Sequence, residues 1–168
     1  MKYVLMLMLF LGFGFGIESA YAQSCVKNKG VQVQEYVYDF AVDGGGTGEK
    51  FLSSKAGYKP IPNGAVVKGV AARVVTAVVG TSSTLAWGND DAATGYSGTA
   101  IAEASLTINS VHNGWDNAAS LIWDDTNDHA IYNPIINTDD GEFSVTIGTA
   151  ALTAGKVVFM VEYYCPSI

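Results

Sequence analysis

The chain has 168 residues and a mass of 17.7 kDa, room for one domain or one domain plus a removable leader. Hydrophobic residues make up 49% and charged residues 15%, a balance that excludes intrinsic disorder. A net charge of −7 tells against a nucleic-acid partner, which needs a basic face, and against docking on anionic lipid.

Residues 1–22 have the three-part grammar of a secretory signal peptide. Lys2 is the positive end, Tyr3 to Ile17 is an apolar run, and Ala20-Tyr21-Ala22 is the small-x-small cleavage pattern. The run is too short for a transmembrane helix, which needs about 20 residues. The expected organisation is a leader over 1–22 and one domain over 23–168, with no membrane attachment after cleavage. A retained apolar N-terminus is the alternative.

Cys25 and Cys165 lie near the two ends of the mature chain. If the chain is exported, they are expected to form a disulfide that clasps the first and last strands. In a reducing cytosol they would be two free thiols.

Val31 to Phe40 alternates, but its phase changes midway: Val31 and Val33 share one face, while Tyr36, Tyr38 and Phe40 share the other. A bulge near Glu35, or a strand covered on both sides, would account for this. Asp43 to Gly48 reads as a flexible loop; no GK[ST] follows, so it is not a phosphate loop. Pro60, Pro62 and Asn63-Gly64 give an extended arm and a turn.

Ala65 to Val79 is the longest strand signal, and both of its faces are mostly apolar. One face can line a core. The other, with Val67, Val75 and Val79, needs a cover, and the reading favours another subunit over a loop of the same chain.

Short strands are expected at Thr84–Trp87 and Leu106–Ile108, with a helical turn or coil at Thr99–Ser105 and a turn at His112-Asn113-Gly114. Ala119–Trp123 and Ala130–Ile136 read as strands flanking the acidic segment 124–128. Asp139-Asp140-Gly141 reads as a hairpin turn, and Phe143–Ile147 and Lys156–Tyr164 as the closing strands. About eight short strands, with no long amphipathic helix and no βαβ rhythm, give an all-β, single-domain β-sandwich of jelly-roll type.

No catalytic constellation is legible. No GxSxG surrounds a serine, and His112 and His129 are isolated. Asp124, Asp125 and Asp128 offer hard oxygen ligands that calcium would accept, but EF-hand spacing is absent and a solvated acidic turn is the competing reading. No other cofactor is expected. Trp87, Trp115 and Trp123 could stack on sugars, or serve as core.

Two stretches carry a family likeness. Pro60-Ile61-Pro62-Asn63-Gly64-Ala65-Val66-Val67-Lys68-Gly69-Val70, followed by Val74 to Gly88, is one; Leu152-Thr153-Ala154-Gly155-Lys156-Val157-Val158-Phe159 to Tyr164 is the other. Together they resemble small structural proteins of tailed bacteriophages, over roughly residues 60–88 and 142–164. The resemblance implies a jelly-roll virion protein without catalytic residues, a capsid decoration or head-fibre subunit at the virion surface, associated with capsid or other virion proteins and usually trimeric. The leader departs from that family, whose particles assemble in the cytosol. It supports the alternative, a secreted cell-surface or carbohydrate-binding β-sandwich module, extracellular or periplasmic.

Overall fold

The computed structural model describes residues 30–89, 93–113, 122–124, 129–131, 135–136 and 142–166. The leader with its cleavage pattern, Cys25, Trp115, Asp125, Asp128 and the Asp139-Asp140-Gly141 turn lie outside these residues. In chain order the elements are β1 (Val31–Asp39), a one-turn helix α1 (Phe40–Asp43), β2 (Gly48–Phe51), β3 (Val66–Gly80), β4 (Thr84–Asn89) and β5 (Ile101–Ala102). A 3-10 turn (Glu103–Ser105) leads to β6 (Val111–Asn113), β7 (Ile122–Asp124), β8 (His129–Ile131), β9 (Ile135–Ile136), β10 (Phe143–Gly148) and β11 (Leu152–Tyr164).

The strands form an all-β sandwich. One sheet has the order β1-β11-β3-β6, with β9 also paired to β3; the other has the order β2-β10-β4-β5. All the pairings are antiparallel. β6 and β9 meet the same side strand at different levels, at 71–73 and 66–67 of β3. Taken as one broken edge strand, they leave eight positions in jelly-roll order, with the first and last strands adjacent at the centre and edge of one sheet. β7 and β8 pair with each other between them.

The core lies between the two sheets and is built on aromatic rings from both. Tyr36 of β1 stacks on Phe143 of β10 with centroids 4.5 Å apart and planes 3° from parallel. Phe143 meets Phe159 of β11 at 5.2 Å, and Phe159 meets Trp87 of β4 at 5.4 Å. All four are fully buried. Leu85, Val145 and Ile147 extend this layer from the four-stranded sheet, and Val70, Val74 and Val161 from the other. Burying each such side chain contributes roughly 1.5–3 kcal/mol relative to exposure.

Burial also perturbs two phenols. Desolvation, then the nearby Asp43 and Asp39 carboxylates, push Tyr38 up to about 12; desolvation pushes Tyr36 higher still, with Tyr163 and Tyr96 adding. Their hydroxyls donate to the carbonyls of Gly44 (3.0 Å) and Lys59 (2.5 Å). A folded-state pKa above the unfolded value near 10 contributes stability that is complete below pH 10 and lost as pH rises through the folded value. Tyrosinate absorbance should therefore show phenols that fail to ionise near pH 10 and appear only as circular dichroism reports unfolding at higher pH.

Several local expectations are revised. β1 has no bulge: its register with β11 runs unbroken from Val31↔Tyr164 to Asp39↔Lys156. Val31 and Val33 simply point outward, while Tyr36 and Tyr38 fill the core. The expected strand at 106–108 is instead an irregular continuation along β3. Val78 N–H donates to the Leu106 carbonyl, Asn109 N–H to that of Val74 and Val74 N–H to that of Ser110. Asn109 has φ of +64°, which breaks the ladder, and regular pairing resumes at Val111–Asn113, where a turn was expected. The Gly44–Gly46 loop is structural: Gly45 accepts from Leu152 N–H at 2.8 Å, and a Cβ there would collide with the Leu152 carbonyl oxygen. β11 begins at Leu152 rather than Lys156, with Gly155 (φ +144°) inside it at a register shift.

Candidate functional site

The surface that stands out is the outer face and free edge of the five-stranded sheet. A shift in register between Glu162↔Gly69 and Tyr163↔Val67 leaves Lys68 as an extra residue in β3. The bulge reverses the alternation, so Val67 is fully buried in the core of its own subunit and does not share an outer face with Val75 and Val79. That corrects one member of the expected row. Val75 is half-buried and Val79 is 47% exposed. Elsewhere this face of β3 carries the small residues Gly69 and Ala71 and the exposed Arg73.

Across β11 and β1, Met160 is 38% exposed, Val31 53% and Val33 66%. Val33 and Met160 flank a shallow groove of about 370 Å³ over Gly69 and Ala71. Lys68 and Glu162 form an ion pair at 3.0 Å on its rim, exposed enough to contribute little. At the far end of β1, Lys156 bonds Asp39 at 3.0 Å. That bond, followed by the Ala41 N–H, holds the Asp39 carboxyl below the ordinary carboxylate range.

Beside this face, Lys55 closes one end of the β1 edge. Its ammonium lies 2.6 Å from the mostly buried Asp43 carboxylate and donates to the Val37 carbonyl at 2.8 Å. Asp43 in turn accepts from the Asp39 N–H at 2.7 Å. Four groups, from β1, α1 and the loop after β2, are thereby joined. Sequence reasoning passed over Asp43 and Lys55; an acid and a base twelve residues apart in loop-like sequence give no periodic signal.

The other expected site residues are dispersed or outside the described residues. Asp124 pairs through its backbone with His129 in the β7–β8 ladder, while Asp125 and Asp128 are not among the described residues. No group of three or more His, Cys, Asp and Glu side chains gathers among the described residues. His112 Nε2 lies 3.0 Å from Ser110 Oγ and 3.1 Å from the Ser105 carbonyl, contacts that tie β6 to the segment before it. Trp87 is core and presents no face to a sugar. Cys165 follows β11, half-buried against the core. No described helix is long and apolar enough to cross a membrane.

No family model matches the chain, and no curated protein matches it either. Among solved structures it is similar to a chain of the acidic stable capsid structure of Helicobacter pylori bacteriophage KHP30. The identity is 17%, the match covers 82% of this chain and 89% of that one, and the TM-score is 0.51. It also matches a chain of the cyanophage Pam1 capsid asymmetric unit at 21% identity, over 88% and 96% of the two chains, with a TM-score of 0.44. The first likeness is one of fold.

Proposed function

We propose that this chain is a non-enzymatic structural protein of a bacteriophage particle, a capsid decoration or head-fibre subunit at the virion surface. The observation that carries the reading is the near end-to-end fold likeness to a chain of a phage capsid. The jelly-roll strand order and the apolar residues on the outer face of one sheet support it. The role calls for no cofactor. In this reading the leader over 1–22 is removed and the chain associates with capsid or other virion proteins. Gold-labelled antibody against the domain should decorate intact particles in electron micrographs; label only on disrupted particles would refute a surface position.

The subunit is proposed to be a homotrimer, with Val75 and Val79 at its interface. Two exposed or half-exposed valines beside small residues are what a subunit contact would cover. At the lowest concentrations measured, light scattering should give three times the subunit mass for the wild type and the subunit mass for Val75→Asp. A wild type monomeric at micromolar concentration would refute the interface.

The Cys25–Cys165 disulfide is part of the same proposal. No described cysteine is free, and the register of β1 with β11 ends at Val31↔Tyr164, one step short of residue 30 and Cys165. Cys25 is five residues further back, a span of at most about 17 Å, within which the chain can return to bonding distance. Thiol labelling of the unfolded, unreduced protein should find neither cysteine.

A further inference from the structure

We propose that the open half of the β1 edge, Val31–Glu35, pairs antiparallel with the same segment of a second copy of this chain, about a twofold axis at Val33. This contact is separate from the proposed β3 interface and does not depend on it.

β1 ends its sheet: among the described residues, only β11 pairs with it. Two of its backbone groups are closed from the free side, the Val37 carbonyl by Lys55 and the Asp39 N–H by Asp43. In an antiparallel ladder the N–H and C=O of one residue point the same way, and the direction alternates along the strand. The register of β1 has no break, so Val31, Val33 and Glu35 point their backbone groups outward as Val37 and Asp39 do. Among the described residues, the one cap at this end is a long 3.4 Å contact from the Gln34 side chain to the Glu35 carbonyl. The edge is therefore sealed at one end and open at the other. Its open part carries the two valines with 53% and 66% exposure. Exposed, apolar and unpaired edges of this kind are templates for another strand.

The occupant follows from length and charge. The other described strands with a free edge, β2, β5, β6, β7, β8 and β9, have at most four residues. Among the described strands with a free edge, only β1 itself is long enough for a five-residue opening. A twofold at Val33 sets Val33 against its own copy and Val31 against Glu35, and Gln32 opposite Gln34. About six backbone hydrogen bonds result, and no like charges face each other. A twofold at Glu35 would oppose the two carboxylates, so charge selects the first register. The same pairing gathers four valines on one face beside Met160.

The test is sedimentation velocity of the full chain over a concentration series, with Val33→Pro and Val33→Lys beside the wild type. Proline removes an N–H that points away from β11, so the internal ladder stays whole; lysine keeps the backbone and blocks the edge by charge. The wild type should double its mass with rising concentration, from whatever assembly it forms when dilute. Both variants should fail to double while melting within a few degrees of the wild type. If proline unfolds the domain, the lysine variant decides alone. A wild type that never doubles, or doubling that survives in a folded variant, overturns the proposal. A mass that depends on Val75→Asp and not on Val33 would overturn the edge pairing and leave the β3 interface standing.

Discussion

Replacing Trp87 with alanine should destabilise the domain by about 3–5 kcal/mol, the range for removing a fully buried large aromatic side chain. Trp87 is fully buried on β4 and reaches Phe159 of the opposite sheet at 5.4 Å. Through Phe159 it joins the ring column that continues to Phe143 and Tyr36. Its loss would open a cavity between the sheets at the point where they are bridged. The indole N–H has no hydrogen-bond partner among the described residues. Trp87→Phe, which keeps an aromatic ring and deletes that donor, should therefore cost only about 1–2 kcal/mol. Urea melts of the two variants check the contrast. Equal losses would mean that the part of the indole that phenylalanine lacks, and not the ring the two residues share, fills the space between the sheets.

Lys55→Met should cost about 2–4 kcal/mol, far above the ±0.5 kcal/mol typical of surface changes. Methionine retains the apolar stem and removes the ammonium. The Asp43 carboxylate, mostly buried, would keep the Asp39 N–H and lose its counter-charge, and the Val37 carbonyl would lose its donor. The double variant Asp43→Asn with Lys55→Met should recover much of the loss, because the neutral amide oxygen can still accept from Asp39. Denaturant midpoints of the four proteins in this cycle measure the coupling. Simple additivity would show that the pair is ornamental.

The long strands were legible because their periodicity extends over many residues: β3 and β11 stand out, and the turn at Asn63-Gly64 precedes β3 as expected. The all-β class followed from these and from the absence of any helical period. What stayed hidden was local. β2 is four residues of an edge strand with Glu49 and Lys50 at its centre, so no apolar alternation marks it. The bulge at Lys68 is a matter of register between two strands, and it turns Val67 inward, away from the face of Gly69 and Ala71. The alternation puts Val31 and Val33 on a face opposite Tyr36 and Tyr38, as the structure has them; their exposure is not legible, since apolar residues usually imply cover. The candidate site suffered most, because an assembly surface is defined by what is left uncovered after folding, and no residue motif encodes that.

The most direct test of a virion role is quantitative mass spectrometry of purified particles and of cleared culture supernatant, with the mature N-terminus read in each. Peptides of this chain are expected in the particles at a fixed ratio to the capsid protein, beginning at Gln23. A chain found only in the supernatant, and absent from particles purified to constant composition, would contradict it.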